Sequence, residues 1–162
     1  MKKAKIDIAV LLIFFNRPEK TEKVFESIKK ARPSKLYLYQ DGAREGRDDD
    51  IINVNKCRDV VSQIDWECEV HTKFQEKNFG CDPSEFIAQK WMFETEEMGI
   101  ILEDDDVPSQ SFYPFCKELL IKYKDDQRIN MICGMNNTGV SNHIESSYLF
   151  TKKGSIWGWA SW

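Results

Sequence analysis

The stretch IDIAVLLIFFNRP, residues 6–18, combines a long apolar run with a polar end. A continuous apolar run is typical of a parallel strand that is covered on both faces. Pro18 fits the first position of a helix, and the apolar residues that follow at helical spacing end near Ala31. The stretch therefore predicts a buried strand, a polar turn at Asn16 and Arg17, and a helix.

The alternation of strand and helix continues along the chain. Further strands are predicted at residues 35–40, 67–74, 99–103 and 129–133, and further helices at residues 49–64, from 82 to about 99, and from 109 or 111 onward. Asp82, Pro83 and Glu85 have the pattern of a capping box for the second of these helices. The alternation predicts an α/β fold with a mainly parallel sheet and helices on both faces, formed as a single domain over residues 1–162.

Composition restricts the class of protein. With a net charge of −4, the chain has no general attraction to nucleic acid or anionic lipid, so no nucleic-acid partner is expected. Its five cysteines form no CxxC pair, which argues against a zinc ribbon and for reduced thiols. The first apolar run is interrupted by Asp7 and is too short to span a bilayer, so no transmembrane segment is expected. We therefore expect a cytoplasmic protein, either free or peripheral to the membrane.

The polar residues that follow the predicted strands are the candidates for a binding site. Parallel sheets bind their ligands at the carboxyl ends of the strands. Three groups of residues occupy such positions: Asn16-Arg17-Pro18, Gln40-Asp41-Gly42 and Glu103-Asp104-Asp105-Asp106. We expect the fold to bring these groups to one edge of the sheet.

The run from Glu103 to Asp106 places four carboxylates together after a buried strand. A divalent cation would relieve their repulsion, since Mn²⁺ and Mg²⁺ favour one or two carboxylates together with substrate oxygens. The alternative is that the acids only stabilise the N-terminus of the next helix. In an extended segment, Glu103 and Asp105 share one face, whereas Asp104 and Asp106 share the other. The sequence leaves the choice between these pairs open.

The three strand-end motifs occur in an order that resembles a glycosyltransferase of the GT-A fold. The segments Asn78-Phe79-Gly80-Cys81 and Trp157-Gly158-Trp159-Ala160-Ser161-Trp162 extend the resemblance. From about Ile8 to Trp162, the chain is similar to bacterial relatives of the N-acetylglucosaminyltransferase I family and to family 2-like transferases. The resemblance implies a Rossmann-like domain that binds a nucleotide sugar.

The resemblance also implies a role for each acid of the run. Asp105 corresponds to the last acid of the family's DxD-type motif, which binds Mn²⁺ or Mg²⁺. Glu103 and Asp104 correspond to the acids that contact the donor sugar and the ribose. Asp106 departs from the family pattern and is assigned as a further metal ligand or a helix-start charge.

On the nucleotide side, the resemblance implies that Asp41 contacts a uracil base and that Arg17, with Asn16 beside it, holds the nucleotide. An imide N–H needs an acceptor, and a diphosphate matches a guanidinium. The expected donor is therefore a UDP-linked sugar. Trp157 and Trp159 are assigned to sugar binding, because the C–H faces of sugars pack on indole rings. The alternative for both tryptophans is a place in the apolar core.

Relatives continue beyond the tryptophan segment to an acidic residue that acts as general base. We therefore expect a C-terminally truncated chain whose base lies beyond Trp162. Such a chain would bind the donor but would not transfer the sugar to a glycan or other hydroxyl acceptor. Apolar surface at residues 157–162 is expected to allow self-association.

Other functions fit parts of the same pattern. A non-catalytic nucleotide- or carbohydrate-binding module would need only the donor site. A phosphoacceptor domain also uses an acidic cluster, but it would place an acid pair after the first strand, where this chain has Asn16 and Arg17. A nucleotidyltransferase would carry a glycine-rich basic loop at that position, and the sequence has none.

Overall fold

The computed structural model describes residues 1–136, 139 and 145–162, which form an α/β fold with six strands and four helices. The strands are β1 (Ile6–Phe14), β2 (Pro33–Gln40), β3 (Glu69–Phe74), β4 (Gly99–Glu103), β5 (Ile132–Cys133) and β6 (Trp159–Ser161). The helices are α1 (Pro18–Ala31), α2 (Asp48–Val61), α3 (Cys81–Phe93) and α4 (Phe112–Tyr123). The predicted α/β class is confirmed. None of the helices among the described residues is long and apolar enough to cross a membrane.

The strands form one mixed sheet in the order β3-β2-β1-β4-β6-β5. β1 is parallel to β2 and to β4, and β2 is parallel to β3, so these four strands share one direction. β6 is antiparallel to both β4 and β5. The sheet is therefore mainly parallel, as predicted, and its antiparallel part lies beyond β4.

Alternate residues of β1 face two separate apolar layers. Val10 and Leu12 belong to the larger cluster, which includes buried side chains of α1, α2 and α4. Leu11 and Ile13 belong to the smaller cluster, which α3 closes. Helices therefore cover both faces of the sheet, which explains why the sequence of β1 is almost continuously apolar.

Helix α3 differs from its predicted boundaries at both ends. It begins at Cys81, after Gly80, whose φ of 86° lies in the left-handed region, and no described side chain caps it. The capping box predicted at Asp82 was therefore wrong. The helix ends at Phe93, because the chain must turn before Gly99, which is already the first residue of β4.

Helix α2 buries most of the face predicted for it, with one exception. The sequence predicts an apolar stripe at residues 51, 54, 57, 61 and 64, and Val54, Cys57 and Val61 are buried as expected. Ile51 was expected in the apolar stripe, but it is 51% exposed. Its neighbour Asp50 is completely buried on the same side as Val54 and Cys57. The prediction for Ile51 was wrong because Asp50 finds hydrogen-bond partners near the end of β1.

The order of the strands changes direction between β1 and β4. From β1 the chain passes through α1 to β2 on one side, whereas β4 joins β1 on the other side. Phe14 pairs with Gln40 and Ile13 pairs with Glu103, so the carboxyl ends of these three strands are level. In open α/β sheets, such a switch point forms a crevice in which ligands bind.

Candidate functional site

Two strand ends meet at the switch point between β1 and β4. Residues Phe15 to Arg17 follow β1 and lead into α1, and residues Glu103 to Asp106 end β4 and begin the next loop. The two segments lie far apart in the chain, yet their side chains form direct hydrogen bonds. The predicted meeting of these motifs at one edge of the sheet is what the structure shows.

Arg17 forms a bidentate ion pair with Asp104. The Nε of Arg17 donates to Oδ2 of Asp104 at 3.1 Å, and its Nη2 donates to Oδ1. The side chain of Asp104 is 2% exposed, and its Oδ2 also accepts the backbone N–H of Phe15 at 3.4 Å. Burial raises the pKa of Asp104, and the guanidinium of Arg17 opposes this effect. Paired donors and acceptors of this kind fix the orientation of both groups.

Asp105 lies on the exposed side of the same guanidinium. Its Oδ2 accepts Nη1 of Arg17 at 3.0 Å and Nζ of Lys20 at 3.1 Å. Partial burial would raise the pKa of Asp105, but Lys20 and Arg17 outweigh it and hold the pKa below its ordinary value. The side chain is 42% exposed, and its Oδ1 accepts no hydrogen bond from any residue that the structure describes. Asp105 therefore keeps one oxygen available for a ligand.

The chain turns after Glu103 instead of staying extended. The backbone N–H of Asp106 donates to the carbonyl oxygen of Glu103 at 3.1 Å. The Oδ2 of Asp106 accepts the backbone N–H of Glu103 at 3.2 Å and that of Gly158 at 2.9 Å. The side chains of this run therefore do not alternate between two faces, as they would in an extended segment. Asp106 instead ties the acidic turn to the segment that enters β6.

Glu103 is half-buried, and its carboxylate accepts no hydrogen bond among the described residues. Burial, followed by the neighbouring charges of Glu85 and Asp106, raises the pKa of Glu103 to about 7. A carboxyl group without donors in an acidic setting favours its neutral form until a cation compensates it. Glu103 is therefore the acid of the run that the protein itself compensates least.

The acids of the turn meet the requirement for a divalent cation only in part. No group of three or more His, Cys, Asp or Glu side chains within the described residues is arranged to hold a metal ion. Mn²⁺ and Mg²⁺ nevertheless need few protein ligands, because water and phosphate oxygens complete their coordination. The available oxygen of Asp105 and the carboxylate of Glu103 fit that donor chemistry. Metal binding by Asp105 and Asp106 stays a prediction.

Asp41 lies directly after β2 and is 6% exposed. Its Oδ1 accepts the backbone N–H of Gly42 at 3.0 Å and of Phe79 at 2.9 Å. Its Oδ2 accepts the backbone N–H of Gly80 at 3.0 Å and Nδ2 of Asn78 at 2.9 Å. The carboxylate thus holds the segment before α3 against the end of β2. Its contact with uracil stays a prediction, and a base would have to displace one of these donors.

Asn16 contacts a buried carboxylate that sequence reasoning missed. Its Nδ2 donates to Oδ1 of Asp50 at 2.5 Å. Asp50 also accepts Nε of Arg44 at 2.6 Å and Nη2 of Arg44 at 2.8 Å. The guanidinium of Arg44 holds the pKa of Asp50 far below its ordinary value. A run of three aspartates at the predicted start of α2 was the visible signal, but it did not show which acid is buried.

The predicted sugar-binding tryptophans have different environments. Trp157 is 67% exposed and precedes Gly158, whose N–H binds Asp106. Trp159 is half-buried in β6, where it pairs with Ile101 of β4 and packs against the smaller apolar cluster. Trp157 therefore adjoins the residue that binds the acidic turn, whereas Trp159 contributes mainly to the core.

Comparison with known proteins does not identify a family. No protein-family model matches the chain, and no curated protein matches it. The function is therefore inferred from the chemistry of the site.

Proposed function

We propose that the chain is the donor-binding part of a metal-dependent glycosyltransferase of the GT-A type, with a UDP-linked sugar as its ligand. The observation that carries the proposal is the convergence of Arg17, Lys20 and the run from Glu103 to Asp106 at the switch point. Nucleotides bind at this place in many open α/β sheets. The acceptor would be a glycan or another hydroxyl compound.

Arg17 and Lys20 would bind the diphosphate. The side chain of Arg17 is 44% exposed and that of Lys20 is 50% exposed, so both can reach a ligand in the crevice. The guanidinium offers paired donors that match phosphate oxygens. Asp104 holds Arg17 from the buried side, so the guanidinium keeps its orientation when a ligand arrives. Asp104 would thus act through Arg17 and not by direct contact with the ribose.

The diphosphate and the cation would share the acidic turn. Phosphate oxygens would replace Asp105 as the partner of Lys20 and of Nη1 of Arg17, which would free both oxygens of Asp105. Asp105, with Glu103 or Asp106 as a second ligand, would then hold Mn²⁺ or Mg²⁺. The bound cation would neutralise charge on the departing UDP.

The base would bind beside Asp41. Among the donors to this carboxylate, the amide of Asn78 is the one on an exposed side chain, so it can leave without any change in the backbone. The imide N–H of uracil would take its place. Because the backbone donors Phe79 and Gly80 stay bound, Asp41 would hold its loop and the base together.

Isothermal titration calorimetry tests the proposal directly. The chain is titrated with UDP, GDP and CMP, each with Mn²⁺ and with a chelator. We expect heat from UDP with Mn²⁺ that disappears with the chelator, and weaker heat from the other two nucleotides. Equal binding with and without the metal, or no binding of any nucleotide, would contradict the proposal.

Asp105 and Asp106 provide a matched pair of variants for this titration. Asp105→Asn removes the carboxylate with the available oxygen and is expected to weaken metal-dependent binding at least about tenfold. Asp106→Asn keeps a carbonyl oxygen that can accept the N–H of Gly158, so its effect should be small. If Asp106→Asn is the more damaging variant and still unfolds like the unchanged chain, then Asp106 is the main ligand.

A nucleotide-binding module without transferase activity is the second candidate. Arg17 and Lys20 already pair with Asp104 and Asp105, so two of the four acids are compensated without a ligand. Mass spectrometry of a UDP-sugar panel, incubated with Mn²⁺ and glycan acceptors, separates the two candidates. Slow hydrolysis of one donor to UDP and free sugar, with or without transfer to an acceptor, supports the donor-binding part of a transferase. A donor that binds and stays intact supports the module.

A further inference from the structure

We propose that the amino end of the sheet is a docking face for membranes that contain anionic phospholipids. The face is defined by six cations, which come from the N-terminal segment, the end of α1 and the middle of α4: Lys2, Lys5, Lys29, Lys30, Arg32 and Lys117. This inference does not depend on the proposed donor site.

The charge of this face is opposite to that of the whole chain. A groove and the pocket beside it are lined by these six cations and by two carboxylates, Glu26 and Glu118. Asp65 pairs with Lys2, and Glu67 adjoins Lys2 through a backbone hydrogen bond. The face therefore has an excess of positive charge, whereas the chain has a net charge of −4. Within the described residues, Lys30, Arg32 and Lys117 form no ion pair. Cations without a carboxylate partner are available to an anionic surface.

The cations border an apolar groove of about 540 Å³. Lys5, Lys30 and Lys117 line it together with Pro114 and Ile121, and Ile121 is 53% exposed. Pro114, Lys117 and Ile121 follow each other at helical spacing, so they share one face of α4. Basic side chains next to exposed apolar ones are the combination that binds at the boundary between lipid headgroups and acyl chains.

The position of the face suits docking to a surface. Lys5 precedes β1 and Arg32 precedes β2, and the backbone N–H of Lys5 donates to the carbonyl oxygen of Arg32 at 2.9 Å. The face therefore lies at the amino ends of the parallel strands. The acidic turn lies at their carboxyl ends, so a chain that is docked by the basic face keeps its acids away from the anionic lipid and open to water.

A bilayer fits these observations better than a nucleic acid does. The exposed side chains beside these cations are aliphatic, and Tyr113, which also lines the groove, is buried, so its ring is not available for bases to stack on. Each lysine or arginine near an anionic membrane improves binding roughly fivefold. The attraction acts over about one Debye length, so it should weaken as salt is added.

Vesicle co-sedimentation of the whole chain tests the proposal. The chain is mixed with vesicles of phosphatidylcholine alone or with vesicles that also contain phosphatidylglycerol, at low and high salt. We expect binding only to the second kind, and less of it at high salt. Soluble glycerol phosphate at the same phosphate concentration should not release the chain.

Charge-matched variants assign the binding to this face. The triple variant Lys5→Gln, Lys30→Gln and Lys117→Gln is expected to lower vesicle affinity on the order of 100-fold. The control variant Lys56→Gln, Lys77→Gln and Lys90→Gln removes the same charge from exposed positions on other elements and should change affinity much less. Circular dichroism of both variants should match the unchanged chain.

Three outcomes would overturn the proposal. The first is equal binding to both kinds of vesicle or to neither kind. The second is equal loss of affinity in the two triple variants, which would reflect net charge alone. The third is tight binding to single-stranded RNA without binding to vesicles, which would assign the basic face to nucleic acid.

Discussion

Asp49 and Asp50 are adjacent in the sequence, but their carboxylates have different environments. Asp50 is completely buried and bound by Arg44 and Asn16, whereas Asp49 is 58% exposed and, among the described residues, pairs with Arg47. The depressed pKa of Asp50 means that its stabilising effect is present at neutral pH. That effect is lost as the pH falls below the ordinary range of an aspartate.

We predict that Asp50→Asn lowers the free energy of unfolding by about 2 kcal/mol at pH 7, because charged hydrogen bonds are lost in a buried place. Asp49→Asn should leave stability close to that of the unchanged chain, since exposed pairs contribute little. Urea unfolding at pH 7 measures both variants. Equal midpoints would mean that the contacts of Asp50 with Arg44 and Asn16 do not persist in solution.

Glu103 should make stability depend on pH when no metal is present. The folded chain keeps a proton on Glu103 up to about pH 7, whereas an unfolded glutamate releases it near pH 4.3. Between these values the folded state binds more protons, so stability decreases as the pH rises through this window. Burial also raises the pKa of Asp106, which acts in the same direction.

We predict a decrease of about 1 kcal/mol between pH 5 and pH 8 in the presence of a chelator, because solvent screens a half-buried group. Glu103→Gln should remove most of this dependence, and its stability should stay nearly constant over the same range. Urea unfolding at several pH values gives the slopes. If Glu103→Gln keeps the full dependence of stability on pH, another group is responsible for it.

At the scale of elements, the loop before α3 packs closely against Gly42 at the end of β2. A Cβ added at Gly42 would lie 2.5 to 2.7 Å from backbone atoms of Lys77, which is too close for either segment to stay in place. Phe79 and Gly80, just beyond Lys77, donate to Asp41. Gly42 therefore allows β2 and this loop to meet at the candidate base site.

We predict that Gly42→Ala lowers stability by about 1–3 kcal/mol and speeds hydrogen exchange at the amides of Phe79 and Gly80. Gly46→Ala is the matched control, because an added Cβ there meets no atom of the described residues within 4 Å and only its φ of 72° causes strain. Exchange measured by NMR should be faster only in the Gly42 variant. Unchanged exchange at both amides would show that the loop does not rely on this contact.

At the scale of the whole molecule, the last strand of the sequence is internal to the sheet. β6 lies between β4 and β5, and Ala160 at its centre is completely buried. Trp162 adds a hydrogen bond from Nε1 to the carbonyl oxygen of Leu120 at 3.0 Å. The end of the sequence therefore contributes to the core and connects the acidic turn, through Gly158, to the antiparallel part of the sheet.

We predict that deletion of residues 157–162 abolishes cooperative thermal unfolding, because it exposes the edge of β4 and part of the core. Deletion of residues 1–4 removes only an exposed ion pair and an isolated bridge at Lys2, so a cooperative transition should remain. Circular dichroism during heating distinguishes the two chains. A cooperative transition in the C-terminally shortened chain would mean that β6 is dispensable.

The sequence by itself determined the local elements and where chemistry should be sought. The helix α1 runs from Pro18 to Ala31 as predicted, because its apolar spacing and the proline act over a few residues. The three polar groups at strand ends were also located from local pattern, because each directly follows an apolar run. The start of α3 and the burial of Ile51 in α2 were mispredicted, because Gly80 and Asp50 form hydrogen bonds with residues outside their helices.

Only the tertiary structure decided which groups are neighbours. It paired Asp104 and Asp105 with Arg17, turned Asp106 toward Gly158, and left Glu103 without a donor among the described residues. It also collected lysines from three separate segments into one basic face of an acidic chain. A sequence pattern reports the period of a strand or helix, whereas the partner of a charge depends on strand order and register, which are set by packing of the whole sheet.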